Sequence, residues 1–215
     1  TPHNPSGAVL KEADVQELIK ITKDNDIIIL SDEVYEHIIF DGIPHQSMAR
    51  HPELANRSMI VYSFGKTFHV TGWKTGYVVA PQNLMAEFRK VHQFNVFTAN
   101  SPIQYALADY MSNEDNYMHI GAFYQAKRDL FLSAVKASRF KIKPTRGTYF
   151  QLLDYSKISK EEDTELAKRL TIEHKVASIP VSVFYHNPVQ NNVLRFCFAK
   201  EDDTLKRAGD IICNI

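Results

Sequence analysis

The chain has 215 residues, of which 44% are hydrophobic and 23% are charged, a composition that is ordinary for a folded globular protein. Its 25 lysine and arginine residues balance 25 aspartate and glutamate residues, which argues against nucleic acid and anionic membranes as partners. Because Cys197 and Cys213 are too few for a disulfide framework, and no apolar run approaches the roughly 20 residues of a membrane span, we expect a cytoplasmic protein.

The beginning of the chain predicts a loop, a helix and a buried strand. Residues 1–7 are rich in turn-forming residues, and helical periodicity follows through Val15, Leu18 and Ile19. Residues 27–30 form an apolar, mostly β-branched run that leads to Asp32. We therefore expect Asp32 at the carboxyl end of a parallel strand, with Tyr35 shortly after it.

A second apolar run, residues 59–62, leads into the sequence Ser-Phe-Gly-Lys-Thr at residues 63–67. Open α/β sheets bind their ligands at the carboxyl ends of strands, so Ser63 and Lys66 have the position of active-site residues. A lysine held there is suited to be a Schiff-base nucleophile, and Lys74 follows eight residues later. Two surface lysines beside a glycine turn are the structural alternative.

Residues 65–67 also match the end of a phosphate-binding P-loop, which is typical of nucleotide hydrolases. That motif requires a glycine at the position of Ile60. Isoleucine does not allow the backbone to fold back around a phosphate as glycine does. The sequence therefore favours lysine chemistry.

The second half of the chain predicts helices and then a small mixed domain. A third strand is expected at residues 76–81, helical periodicity begins near residue 83, and a helix at about 115–137 would span on the order of 30 Å. Short strands and helices follow. We expect residues 1–120 to be part of a larger, mostly parallel α/β domain and residues 121–215 to be a small α+β domain.

Five polar features have loop or strand-end positions: Asn4, Asp32 with Tyr35, Ser63 with Lys66, Lys74, and Arg195. Each has an ordinary explanation when taken alone, such as a turn former, a helix cap, a solvated lysine or half of a structural ion pair. Arg195 is the least ordinary, because it interrupts the apolar run of residues 193–198.

Together these segments resemble the fold-type I, class I pyridoxal phosphate (PLP) aminotransferases. The matching segments are Asn4-Pro5-Ser6-Gly7, Asp32-Glu33-Val34-Tyr35, Ser63-x-x-Lys66-Thr67 and Thr71-Gly72-Trp73-Lys74-x-Gly76-Tyr77, with Arg195 near the end. Within the family, the chain is most similar to the methionine, kynurenine and glutamine-phenylpyruvate aminotransferase branch. Lys74 stands where many members have arginine. The large N-terminal portion of the family is missing, so we expect a fragment.

The resemblance implies that pyridoxal 5′-phosphate is the cofactor and that Lys66 forms the internal aldimine and later moves the proton. Asp32 would pair with the pyridine nitrogen and keep it protonated, so that the ring can act as an electron sink. Tyr35 and Asn4 would hydrogen-bond the phenolic oxygen of the cofactor.

The resemblance also implies the residues that hold the two anionic groups. Ser63 and Lys74 would bind the cofactor phosphate, with Lys74 as a point charge rather than a bidentate fork. Arg195 and Asn4 would bind the substrate, with Arg195 holding its α-carboxylate through two parallel hydrogen bonds.

The implied activity is transamination between an L-amino acid with a methionine, aromatic or other neutral side chain and a 2-oxo acid, in a homodimer. A PLP-dependent carbon-sulfur β-lyase shares much of this set of residues and stays an alternative. A regulator or scaffold that uses the same fold without catalysis is a third possibility. A basic helix-turn-helix before residue 1 would favour the regulator, and another half-sheet would favour the enzyme.

Overall fold

The computed structural model describes residues 1–187 and 189–215, which form two compact units. Unit 1 comprises Thr1–Pro2 and Val9–Gly121, and unit 2 comprises His3–Ala8 and Ala122–Ile215. Both units contain helices and strands, which confirms the predicted α/β organisation. Within the described ranges, no helix is both long enough and apolar enough to cross a membrane.

Unit 1 is built around a three-stranded sheet. Its elements are α1 (Glu12–Lys23), β1 (Ile29–Asp32), α2 (Pro52–Ala55), β2 (Ser58–Ser63), α3 (Phe64–Thr67), β3 (Gly76–Val79), α4 (Gln82–Asn95) and α5 (Ser101–Met111). The strand order is β1-β2-β3. The pair β1–β2 is parallel, with Asp32 opposite Val61, and β2–β3 is antiparallel, with Ser63 opposite Gly76.

One face of this sheet packs on α1 and forms the core of unit 1. Alternate residues of β2 are buried, as expected for a strand with one covered face. Ile60 and Tyr62 join Val15 of α1, together with Met48 and Leu54, in one hydrophobic cluster. The charges of α1 complement its helix dipole, with acidic residues in the first turn and basic residues in the last turn.

The direction of one strand of unit 1 was not predicted, and the start of one helix differs from the prediction. β3 is antiparallel to β2, and Gly76 is required there because a Cβ atom would lie 2.3 Å from the carbonyl oxygen of Tyr62. The helix predicted at 115–137 begins at Ile120. The side chain of Asn113 accepts a hydrogen bond from the N–H of Asp115 at 3.0 Å and starts a 3-10 turn, Glu114–Asn116, before it.

Unit 2 contains a four-stranded antiparallel sheet. Its elements are α6 (Ile120–Ala134, which begins in unit 1), β4 (Lys141–Ile142), β5 (Phe150–Asp154), α7 (Asp163–Glu173), β6 (Ile179–Pro180), β7 (Val193–Cys197) and α8 (Asp202–Cys213). The strand order is β4-β5-β7-β6. In β7, Leu194 and Phe196 are buried while Arg195 between them is partly exposed, so Arg195 lies on the opposite face of the sheet.

Candidate active site

Lys66 lies in a one-turn helix at the carboxyl end of β2, as the sequence predicted. Ser63 is the last residue of β2 and the N-cap of α3, but its side chain makes no capping hydrogen bond. Gly65 is buried, and a Cβ atom there would lie 2.9 Å from the Cα atom of Thr71. The close approach of α3 to the segment at Thr71 therefore explains this glycine without a P-loop.

Tyr35 and Lys66 lie close together in unit 1. Tyr35 follows β1 in a turn and is buried, with 5% of its surface exposed. The Nζ atom of Lys66 lies 5.8 Å from the centroid of the Tyr35 ring, within the range of a cation–π contact. Lys66 itself is partly buried. The structure therefore presents one lysine at a strand end, beside a buried tyrosine.

Asp32 is the last residue of β1, and its side chain is exposed. Its Oδ1 atom accepts a hydrogen bond from the N–H of Val34 at 3.2 Å. This local turn is part of the ordinary structural explanation for an aspartate at this position. It also restricts the orientation of the carboxylate, which stays accessible to a cationic ligand.

Lys74 follows the 3-10 turn Thr71–Trp73 and is exposed. Its backbone is left-handed, with φ 53° and ψ 38°, which is uncommon for a residue other than glycine. The next strand begins two residues later at Gly76, which pairs with Ser63. Pairing between β2 and β3 therefore places the segment that carries Lys74 next to the end of β2, where Ser63 lies.

Arg195 and Asn4 are 191 residues apart in the sequence and touch in unit 2. One terminal nitrogen of the guanidinium donates a hydrogen bond of 2.7 Å to Oδ1 of Asn4. The guanidinium carbon lies 4.0 Å from the ring centroid of Phe150 and 5.4 Å from that of Phe184. Within the described residues, Arg195 has no salt-bridge partner and its buried Nε atom donates no hydrogen bond.

The loop that carries Asn4 is fixed by its own contacts in unit 2. The N–H groups of His3 and Gly7 donate to the carbonyl oxygens of Ala8 and His3, at 2.8 and 2.7 Å. Gly7 has φ 64°, and a Cβ atom there would lie 1.6 Å from Oγ1 of Thr145. Glycine is therefore required where this loop meets Thr145.

Sequence reasoning gave no role to Glu33, which the structure places beside Asp32 with none of its surface exposed. Its Oε1 atom accepts hydrogen bonds from Ser31 Oγ at 2.9 Å and from the N–H of Met48 at 3.0 Å. Its Oε2 atom accepts from Nε2 of His45 at 2.9 Å and from the hydroxyl of Tyr62 at 3.2 Å. Four donors therefore surround one buried carboxylate.

The hydrogen bonds to Glu33 determine its ionisation. Burial alone would raise its pKa, but the hydrogen bonds, with that of His45 the largest and that of Met48 next, outweigh burial and lower the pKa to about 2. Period-2 alternation could have indicated that Glu33 points away from Asp32. Three of the four donors, however, come from residues 12 to 29 positions away and had no local signal.

A second carboxylate, Glu36, adjoins this cluster. Burial is the main cause that raises the pKa of Glu36 to about 7. The ring of Tyr77 stacks on that of Tyr62 at 4.7 Å between centroids, and its hydroxyl lies 3.5 Å from Oε1 of Glu36. Residues next to Asp32, Tyr35 and Ser63 in the sequence are thus connected with Tyr77 in one cluster, in which Glu33 and Tyr62 are buried and Glu36 is partly exposed.

The low pKa of Glu33 predicts an acid-sensitive contribution to stability. Because its folded-state pKa of about 2 lies below the ordinary 4.5, the stabilisation is complete above pH 4.5 and is lost as the pH falls towards 2. It amounts to on the order of 3 kcal/mol. We expect the urea midpoint of full-length Glu33→Gln protein to fall less between pH 6 and pH 3 than that of the wild type. Equal pH dependence in both proteins would contradict this prediction.

The predicted site residues are thus divided between the units. Asp32, Tyr35, Ser63, Lys66 and Lys74 lie in unit 1, whereas Asn4 and Arg195 lie in unit 2. The roles given to these residues stay predictions.

Comparison with known proteins identifies one family throughout. The sequence profile of the family described as aminotransferase class I and II matches residues 1–212. Methionine aminotransferase of Escherichia coli is 47% identical over 98% of this chain and 55% of its own length. A kynurenine–oxoglutarate transaminase of Dictyostelium discoideum is 33% identical over 97% of this chain and 54% of its own length.

The solved structures give the same result. The crystal structure of YbdL from Escherichia coli, whose reactivity identified a methionine aminotransferase function, superimposes with a TM-score of 0.97 and 46% identity. The match covers 100% of this chain and 57% of that one. The chain therefore spans about half the length of the relatives that it matches.

Proposed function

The chain belongs to the class I and II aminotransferase family, and from this premise we propose that the full-length protein is a PLP-dependent aminotransferase. The predicted fold-type I assignment is confirmed by the family match and by the superposition. The proposed reaction transfers the amino group of an L-amino acid to a 2-oxo acid. One observation carries the proposed substrate class: the guanidinium of Arg195 has no acidic partner among the described residues.

The residues of unit 1 fit the cofactor chemically. When bound, PLP supplies an aldehyde that accepts the amino group and a protonated aromatic ring that withdraws electrons from the reacting carbon. Lys66 has the amine that such an aldehyde requires, and it lies beside buried Tyr35. Asp32 has an accessible carboxylate for a pyridine nitrogen. Ser63 and Lys74 offer a hydroxyl and a cation for the phosphate.

Asn4 is proposed to serve both cofactor and substrate. Its Oδ1 atom accepts a hydrogen bond from Arg195, which leaves its amide N–H groups to donate to an anionic oxygen of the cofactor. The same contact holds one end of the guanidinium. Lys66 is proposed to act first as a general base and then as a general acid. Its amine would take the proton from the α-carbon of the substrate and return it later in the reaction.

Arg195 is proposed to bind the substrate carboxylate. A cation stacked on Phe150 and near Phe184 is partly shielded from water, which strengthens its attraction for an anion. Its buried Nε–H has no partner in the described structure, and leaving such a donor unsatisfied costs about 1–3 kcal/mol. A carboxylate that accepts two parallel hydrogen bonds would satisfy this group and fix the substrate.

The finer assignments follow from the relatives. We infer a neutral amino donor, such as methionine or an aromatic amino acid, because methionine aminotransferase and kynurenine transaminase are among the similar proteins. We also propose a cytoplasmic homodimer in which residues 1–120 belong to the larger domain and residues 121–215 form the small domain.

Incubation of the full-length protein with PLP, methionine and a 2-oxo acid tests this function. We expect one new amino acid and one 2-oxo product for each methionine consumed. Transamination rates with kynurenine and phenylalanine as amino donors, measured in parallel, show which side chain the enzyme prefers. Formation of pyruvate and ammonia from cysteine or cystathionine, with no amino transfer, would instead support the carbon-sulfur β-lyase and contradict the proposal.

A further inference from the structure

The buried carboxylate of Glu33 connects three separate parts of unit 1. It accepts hydrogen bonds from Ser31 in β1, Tyr62 in β2 and the N–H of Met48 in a 3-10 turn. His45, on the segment before that turn, supplies a fourth. These four donors use both carboxylate oxygens, so the side chain of Glu33 is held in one orientation.

The side chain of Glu33 lies on the face of the sheet opposite to that of its neighbour Asp32, which is a proposed cofactor residue. Ser31 and Glu33 flank Asp32, and both of their side chains are on the buried face of the sheet, where they bond to each other. The parallel ladder continues past Asp32, because the N–H of Glu33 donates to the carbonyl oxygen of Val61 at 2.9 Å. By strand alternation, the side chain of Asp32 is directed to the opposite face.

The hydrogen bonds to Glu33 make the end of β1 rigid. A carboxylate with none of its surface exposed is strongly disfavoured unless its charge is compensated, and here four hydrogen bonds compensate it. Any rotation of the end of β1 would break several of them together. The backbone on both sides of Asp32 is therefore fixed from below, while the side chain of Asp32 accepts a local hydrogen bond from the N–H of Val34.

We propose that Glu33 is a positioning residue, which fixes the end of β1 so that the carboxylate of Asp32 has the orientation needed to bind the ring nitrogen of the cofactor. This inference rests on the proposed function. Glu33 acts through Asp32 and touches neither cofactor nor substrate.

A double-mutant cycle on the full-length protein tests this role. The four proteins are the wild type, Glu33→Gln, Asp32→Asn and the double variant. The measurements are the Kd for PLP, from absorbance titration of the apoprotein, and kcat and KM for the amino donor. Glutamine keeps the shape of Glu33, but its NH₂ group cannot accept hydrogen bonds, so two of the four donors lose their acceptor.

We expect Glu33→Gln alone to weaken PLP binding and to lower kcat, each by about tenfold, because misplacement of a binding group impairs both. KM for the amino donor should stay within about twofold, since Arg195 is unchanged. In the Asp32→Asn background, Glu33→Gln should change neither quantity by more than about twofold. Equal losses in both backgrounds would show a merely structural role and overturn the proposal.

Two further variants keep the test decisive. Should Glu33→Gln fail to fold, Tyr62→Phe removes only one of the four hydrogen bonds and should give a smaller loss that also vanishes in the Asp32→Asn background. Glu53→Gln, an exposed glutamate in α2, is the matched control and should resemble the wild type. If the wild type binds PLP and Glu33→Gln matches it, this inference alone fails. If the wild type binds no PLP, the proposed function fails with it.

Discussion

Replacement of Lys66 by alanine is expected to lower the transamination rate by about 10⁴-fold or more. The variant loses both a covalent attachment point and a positioned general base, each of which is worth several orders of magnitude in enzymes. Lys66 is the lysine that lies at the carboxyl end of β2, partly buried beside Tyr35. Steady-state assay of the full-length variant with saturating PLP measures the effect.

The same assignment predicts a chemical label. Borohydride reduction of the protein with bound PLP should fix the pyridoxyl mass on the peptide that contains Lys66, as read by mass spectrometry. Lys74 provides the matched control, because it is the other lysine of this loop and is exposed. Lys74→Ala should bind PLP more weakly but still carry the label on Lys66. Label on Lys74 in the wild type would overturn the assignment.

The positions of the strand-end residues could be predicted because they depend on local patterns. An apolar run indicated each of β1 and β2, and the polar residue after each run had to lie at the carboxyl end. Asp32 and Ser63 lie there in the structure. The direction of β3 depends instead on its connection. That connection contains only the one-turn helix α3 and a 3-10 turn, and a parallel crossover normally needs a longer helix.

The contacts that support the site could not be predicted from local patterns. An acid after a strand is usually exposed, whereas Glu33 is buried because His45, Met48 and Tyr62 converge on it from later segments. The contact between Asn4 and Arg195 joins residues 191 positions apart. The family resemblance indicated a role for both residues, but only the structure shows that they bind each other.

Arg195→Lys is expected to lower kcat/KM for amino acids by about 100-fold or more, equivalent to roughly 3 kcal/mol. Lysine keeps the positive charge but loses the planar fork that donates two parallel hydrogen bonds to a carboxylate. It would also lose the stacking on Phe150, where the guanidinium carbon lies 4.0 Å from the ring centroid, and the bond to Asn4. Measurement of kcat/KM with methionine and a fixed 2-oxo acid gives the size of the effect.

Two comparisons separate a carboxylate-binding role from a structural one. Amines that lack a carboxylate should react in a half-reaction at nearly the same low rate in the wild type and in Arg195→Lys, because the lost fork has nothing to bind. Arg169 is the control guanidinium, since it forms an ion pair with Glu161 at 2.8 Å, and Arg169→Lys should leave kcat/KM near the wild-type value. If Arg195→Lys impaired amines and amino acids equally, or impaired neither, the substrate carboxylate would have to be bound by another residue. The guanidinium of Arg195 would then have only a structural role.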